Sequence, residues 1–110
     1  MFNANRNDEK CIRLRNMLNT EIKFKTGANV VDVESGYNIS DNKWWIRIVV
    51  IKSCIACELV KDYMLKAFGL RYLRIDESVH GVLRRDRILY SGLSKEELID
   101  MDILCRMKGY

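Results

Sequence analysis

A nearly continuous apolar run from Trp44 to Ile51 is followed almost at once by two cysteines, Cys54 and Cys57. A run of this length without polar alternation is typical of a strand that is buried on both faces. The next segment, residues 58–68, repeats pairs of apolar residues every four positions, which predicts one buried stripe on a helix. Gly69 is expected to end that helix. The chain is therefore predicted to pass from a central strand into a helix through a Cys-x-x-Cys sequence.

Alternating or apolar segments after this helix predict three more strands, at residues 71–76, 79–84 and 87–90. The first of them should complete a right-handed βαβ unit, in which it runs parallel to the central strand. The other two should form a hairpin that turns at Arg85-Asp86. Ser94 and Glu97 have the spacing of a capping box, which predicts a final helix. The predicted order from residue 44 onward is β-α-β-β-β-α.

The first third of the chain predicts a helix over residues 8–23, with Asn7 as its N-cap. A short strand at Val30–Val33 and turns at Ser35-Gly36 and at residues 40–42 are expected to follow. Cys11 falls on the apolar stripe of this first helix and Cys105 belongs to the last helix, so both are interpreted as core residues. We interpret residues 1–43 as an N-terminal helical extension packed on a core formed by residues 44–110, within one domain.

The composition is that of a soluble globular protein, with 48% hydrophobic and 31% charged residues and a formal net charge of +4 over 110 residues. The N-terminal residues lack the apolar segment of a signal peptide, and no apolar stretch is long enough to cross a bilayer. We therefore expect a cytoplasmic protein without a membrane partner. In a reducing compartment, a close cysteine pair is more often catalytic or metal-binding than a structural disulfide.

The predicted order, with Cys-x-x-Cys between the first strand and the first helix, resembles the thioredoxin superfamily and is closest to its small glutaredoxin-like members. The segments that carry the resemblance are residues 48–57, 58–68 and 79–98. It implies thiol–disulfide exchange with protein disulfides or glutathione, without a cofactor. Cys54 would be the nucleophile, because the start of a helix stabilises a thiolate, and Cys57 would be the resolving thiol. Lys52, which could add positive charge, and Ser53 would lie beside this pair.

The chain departs from the family at two points. Residues 77–81 are too few to hold the helix that family members place between the second and third strands, so we expect a short loop passing over the cysteines. The chain contains no proline, so the cis-proline that faces the cysteines in the family is missing. His80, followed by Gly81, falls in or beside that position. The prediction is thus an α/β, thioredoxin-like core that lacks one helix.

Two alternatives remain open from the sequence. Cys54, Cys57 and His80 are soft or borderline ligands that could bind zinc or a [2Fe-2S] cluster. The chain could instead be a non-catalytic interaction module, for example a viral factor that binds a host protein. Its binding surface for an acidic protein partner would include three arginines, Arg84, Arg85 and Arg87. We do not expect nucleic-acid binding, because no aromatic-rich binding signature accompanies the arginines.

Overall fold

The computed structural model describes residues 8–25, 27–51, 54–80 and 83–110, without the side chains of Cys54 and His80. The described residues form an α/β fold of three helices and four strands. In chain order these are α1 (Glu9–Glu21), β1 (Asn29–Asn38), β2 (Lys43–Ile51), α2 (Cys54–Phe68), β3 (Arg74–His80), β4 (Leu83–Leu93) and α3 (Lys95–Met107).

The four strands form one sheet in the order β1-β2-β4-β3, and every neighbouring pair is antiparallel. β1 and β2 are joined by a turn over residues 39–42, and β3 and β4 form a second hairpin. β2 and β3 run in the same direction, because each is antiparallel to β4. They are not neighbours, since β4 lies between them. Helix α2 therefore connects two parallel strands across the width of a third.

One hydrophobic core joins the three helices to a single face of the sheet. Alternate residues of β2, namely Ile46, Ile48 and Val50, point into this core. The largest side chains that are fully buried there include Met17 and Leu18 of α1, Val60 and Met64 of α2, Ile88 and Tyr90 of β4, and Cys105 of α3. We call the opposite face, which carries Trp45 and Val49 and on which no described helix packs, the open face.

The sequence signals at the helix ends are largely confirmed. Ser94 and Glu97 form the predicted capping box at the start of α3. Gly69 follows the end of α2 with φ +68°, a left-handed conformation that glycine adopts without steric cost. The N-cap of α1 is Asp8, whose carboxylate accepts a hydrogen bond of 2.8 Å from the Lys10 amide, and not the predicted Asn7, which lies outside the described residues.

The strands on either side of α2 run parallel, as predicted, but they are not neighbours, and the predicted hairpin at Arg85-Asp86 is wrong. Residues 77–80 belong to β3, which pairs with β4 from Arg74 to His80, so they do not form a loop over the cysteines. Arg85 and Asp86 lie inside β4 and not in a turn, because β2 and β3 pair with this part of β4 from both sides. The core from residue 43 onward is consequently β-α-β-β-α, one strand shorter than predicted.

The N-terminal region contributes more than a helix. β1 extends over ten residues and passes through Ser35-Gly36, where a turn was predicted. Two contacts explain why these residues suit a strand. The Cys11 thiol of α1 lies 3.4 Å from the Ser35 hydroxyl, and Gly36 leaves room for the Trp45 ring of β2, which a Cβ at position 36 would overlap. This region therefore supplies an edge strand of the sheet.

Among the described residues, none of the helices is long and apolar enough to span a membrane.

Candidate functional site: a cysteine pair above a buried carboxylate

Helix α2 begins at Cys54, three residues after β2 ends at Ile51. The first amides of a helix have no partner within the helix, and its dipole places partial positive charge at this end. Both effects stabilise negative charge at the start of α2. Positions 54 and 57 are three residues apart in α2 and therefore lie on one face of the helix.

The side chain of Cys57 is directed into the protein, where it meets a carboxylate. Cys57 is 4% exposed, and its Sγ lies 3.1 Å from Oδ2 of Asp86 in β4. Asp86 is itself only 1% exposed. Its register partners are Val50 of β2 and Glu77 of β3, which puts it on the helix-covered side of the sheet, below the first turn of α2. The thiol therefore donates to a buried carboxylate oxygen.

A guanidinium group balances the buried carboxylate. The Nε of Arg84 donates to the same Oδ2 atom of Asp86 at 2.9 Å, and Nη2 of Arg84 lies 2.9 Å from Oε1 of Glu77. The Arg84 side chain is 32% exposed and that of Glu77 is 60% exposed. A chain of contacts thus runs from a buried thiol through a carboxylate and a guanidinium to a carboxylate at the surface. We call Cys57, Asp86, Arg84 and Glu77 the Asp86 network.

One oxygen of this network has no partner. Within the part of the chain that the structure describes, Oδ1 of Asp86 is buried and accepts no hydrogen bond. An unsatisfied buried carboxylate oxygen costs free energy in proportion to its desolvation, so its retention calls for an explanation. This oxygen belongs to the same buried carboxylate that accepts the hydrogen bond from the Cys57 thiol.

Several predicted site residues fall at the limits of the described chain. Lys52, Ser53 and Gly81 lie outside the described residues. His80 is the last residue of β3 and pairs in register with Leu83. The proposed role of His80 in the position of the missing proline stays a prediction.

The three arginines predicted to form one basic edge are divided between the two faces of the sheet. Arg84 takes part in the Asp86 network on the helix-covered face. Arg85 and Arg87 are on the open face, where they line a small cleft of about 140 Å³ together with Asp32, Glu34 and Val49. The open face is mixed in charge.

The arginine next to this cleft is also paired. Arg47 of β2 donates to Glu34 at 2.7 Å, and its guanidinium carbon lies 5.5 Å from the centroid of the Trp45 ring. The acidic residues of β1 thus face basic residues across the open face, which offers no purely cationic surface.

A metal at the cysteine pair stays a prediction. No group of three histidine, cysteine, aspartate or glutamate side chains suited to a metal ion occurs among the described residues, which exclude the side chains of Cys54 and His80. The contact between Arg84 and Asp86 bears on the alternative more directly. A guanidinium already supplies the positive charge at Oδ2 of Asp86, and a cation bound to Cys57 beside it would be repelled.

The two remaining cysteines belong to the core, as predicted. Burial raises the pKa of the Cys11 thiol, and burial likewise raises the pKa of the Cys105 thiol to about 11. Both thiols are therefore protonated at neutral pH and are poor nucleophiles.

Asp86 is the residue of the candidate site that the sequence did not reveal. In the sequence it stands between Arg85 and Arg87 and has the appearance of a polar turn. The available signal was its spacing, because Asp86, Ile88 and Tyr90 alternate along one strand and all three are buried. An acidic residue in phase with buried apolar neighbours indicates a buried charge that requires a partner.

The comparisons with known proteins found no relative from which a role could be transferred: no family model, no curated protein and no solved structure matches the chain.

Proposed function

We propose that this protein catalyses thiol–disulfide exchange through Cys54 and Cys57. The observation that carries the proposal is the contact of 3.1 Å between the Cys57 thiol and the buried Asp86 carboxylate, directly below the start of α2. The helix start activates the outer thiol, and the carboxylate serves the inner one. The substrates would be disulfides of proteins or of small molecules such as glutathione.

The first half of the reaction takes place at Cys54. Its thiolate attacks one sulfur of a substrate disulfide, a bond forms between Cys54 and that sulfur, and the substrate S–S bond breaks. The other substrate sulfur leaves as a thiolate and takes a proton from water. The product of this half is a mixed disulfide between Cys54 and the substrate.

The second half uses Cys57 and Asp86. Asp86 accepts the proton of the Cys57 thiol, and the resulting thiolate attacks the Cys54 sulfur. A Cys54–Cys57 disulfide forms, the bond from Cys54 to the substrate breaks, and the substrate leaves as a second thiolate that is then protonated. Two electrons pass from the dithiol to the substrate. An external thiol reductant, such as glutathione or dithiothreitol, would restore the dithiol.

The proposal rests on local geometry and not on the order of strands. The passage from strand through Cys-x-x-Cys to helix resembles that of the thioredoxin superfamily. The sheet order differs from the one expected for that family, because β4 separates β2 from β3. The acid–base partner of Cys57 comes from β4, so the chemistry needs only β2, α2 and β4 to be in place.

Three substitutions test this proposal with a dithiothreitol-coupled disulfide reductase assay. We expect Cys54→Ser to abolish turnover, whereas Cys57→Ser should trap a mixed disulfide that mass spectrometry detects. In the Asp86→Asn protein, Cys57 should resolve the mixed disulfide between Cys54 and the substrate about 100-fold more slowly at neutral pH, as expected for loss of a general base. Asp76→Asn, which changes an exposed carboxylate of β3, is the matched control and should leave the rate unchanged.

Inactivity of the wild-type protein, or equal rates for Asp86→Asn and Asp76→Asn, would contradict this mechanism. Inactivity of the wild-type protein would favour the non-catalytic alternative, in which Arg85 and Arg87 on the open face bind an acidic protein partner, whereas equal rates would remove only the role of Asp86. That alternative predicts that partner binding survives Cys54→Ser and is lost on substitution of both arginines.

A further inference from the structure

The Asp86 network contains the Arg84 guanidinium, and the proposed reaction gives no role to the amino group that this guanidinium directs toward the surface. Arg84 contacts the same Asp86 oxygen as the Cys57 thiol, so its guanidinium lies beside the reacting sulfur. Its Nε is directed inward to this oxygen, and its Nη2 is directed outward to Glu77. One arginine thus connects the buried acid–base group with the protein surface.

The strand register places Arg84 at the end of the sheet where β2 leads into α2 and its two cysteines. β2 leaves the sheet at Ile51, and the register partner of Ile51 is Arg85. Arg84 is one residue closer to the hairpin that joins β3 and β4, and therefore lies at the end of the sheet from which α2 starts with Cys54. A substrate whose sulfur is attacked by Cys54 has to approach from this end.

The ion pair between Arg84 and Glu77 is easier to break than the ion pair between Arg84 and Asp86. Glu77 is largely exposed, and exposed ion pairs contribute little to stability because water competes for both charges. Asp86 is buried, so separating it from Arg84 would leave an uncompensated charge in the core. An incoming carboxylate would displace Glu77 and leave the inner contact intact.

Two exposed apolar side chains belong to the elements that meet at this end of the sheet. Val79, the register partner of Arg84, is 61% exposed, and Ile55, next to Cys54, is also exposed. Exposed apolar side chains beside a guanidinium suit a ligand that combines short hydrocarbon segments with a carboxylate.

We propose that Arg84 forms an anion subsite that selects disulfides carrying a carboxylate close to the sulfur, and that Glu77 occupies this subsite when no substrate is bound. The inference rests on the proposed thiol–disulfide exchange, and it names the substrate class of that site. Arg84 binds the substrate carboxylate through its outer amino group. Meanwhile its Nε keeps Asp86 in place for the resolving step.

The test compares three small disulfides that differ mainly in charge: dithiodipropionate, which is anionic, hydroxyethyl disulfide, which is neutral, and cystamine, which is cationic. We expect the wild-type protein to prefer the anionic disulfide in kcat/KM. Arg84→Gln should lower the ratio of anionic to neutral kcat/KM about tenfold, the effect of losing one charged hydrogen bond. Using the ratio cancels the loss of the Asp86 contact, because that loss affects all three substrates.

Arg85→Gln is the matched control, since it removes the same charge from the adjacent residue on the opposite face. It should leave the ratio unchanged. Glu77→Gln should raise the ratio two- to threefold, at about the level of an exposed ion pair, because it removes the competing carboxylate. Arg84→Lys should retain part of the preference. Equal ratios in the Arg84→Gln and Arg85→Gln proteins would overturn the subsite.

A binding measurement separates failure of the subsite from failure of the proposed function. Suberate has the length and the two carboxylates of dithiodipropionate but no sulfur. Titrating it into the wild-type protein should shift the Arg84 side-chain NMR signal with saturation. In the Arg84→Gln protein, adding suberate should cause no saturable shift of any signal. Absence of a saturable shift in the wild-type protein would overturn the subsite, even if disulfides are reduced. Saturable binding without turnover would support the subsite and contradict the proposed catalysis.

Discussion

At the scale of single residues, the chain holds three described cysteines in different surroundings. Cys57 lies against a carboxylate, whereas Cys11 lies against a hydroxyl and Cys105 is fully buried in the core. The same thiol group is therefore placed once against a buried charge and twice among neutral neighbours. The sequence alone distinguishes Cys57 from Cys11 and Cys105, because only Cys57 lies three residues from another cysteine. It does not reveal the acidic partner, because that partner comes from a strand 29 residues away.

The burial of Cys105 predicts a loss of stability at alkaline pH. The pKa of this thiol is about 11 in the folded protein and 9.0 in the absence of burial, so between these values the unfolded chain gives up a proton that the folded chain keeps. The contribution of this thiol is complete below pH 9 and falls as the pH rises toward 11. A shift of this size corresponds to about 2–3 kcal/mol.

Urea unfolding at a series of pH values from 8 to 11 measures this contribution. Cys105→Ala will be less stable than the wild type at pH 8 because it leaves a cavity. Its stability should then decline less steeply with pH. Parallel pH profiles for the two proteins would show that Cys105 does not titrate differently in the folded and unfolded states.

At the scale of helices and strands, the pairing of β1 with β2 depends on a glycine facing a tryptophan. Gly36 and Trp45 are register partners, and the indole of Trp45 lies where a Cβ on residue 36 would be. Trp45 in turn is covered by the Arg47 guanidinium. The indole thus lies flat across the edge strand, which buries it on a face where no described helix packs.

Gly36→Ala should therefore destabilise the protein by about 1–3 kcal/mol, the usual range for an added methyl group that meets a well-packed side chain. The measurement is the urea midpoint of unfolding together with Trp fluorescence. Repeating the substitution in a Trp45→Ala background should cost much less, since the overlapping ring is gone. An equal cost in both backgrounds would place the penalty in the backbone of β1 and not in the indole contact.

The helices were predictable from the sequence because their signals are local. The stripe of α2, the glycine after it and the capping box of α3 each depend on residues within a few positions of one another. The strand order was not predictable in this way, because pairing joins residues far apart in the chain. Ile51 pairs with Arg85, and nothing near either residue specifies the other. The error at Arg85-Asp86 has the same origin, since a polar pair can form a turn or cross a strand.

At the scale of the whole molecule, the N-terminal third is a structural part of the fold. α1 places Leu14, Met17 and Leu18 in the common core, and β1 covers one edge of β2. The bidentate pair between Arg13 and Asp102 further joins α1 to α3. The sequence predicted an N-terminal helical extension packed on the core within one domain, because the clearest motifs all lie after residue 44.

We therefore predict that residues 44–110 alone do not fold cooperatively. The fragment should give a poorly dispersed amide NMR spectrum and no near-ultraviolet circular dichroism, because its apolar sheet face lacks α1. The matched control is the full chain cut by a protease site inserted in the exposed turn at residues 39–42, whose two pieces should stay associated and folded. A well-dispersed spectrum from residues 44–110 would show that this part folds without α1 and β1.

The position of β4 between β2 and β3 also determines when the surroundings of Cys57 are completed during synthesis. β4 is the last strand to leave the ribosome, and until it does β2 has one neighbour and β3 has none. Asp86 and Arg84 both arrive with β4, so a nascent chain that already contains Cys54 and Cys57 lacks the carboxylate that lies against the Cys57 thiol. Completion of the sheet and assembly of the Asp86 network are therefore a single event.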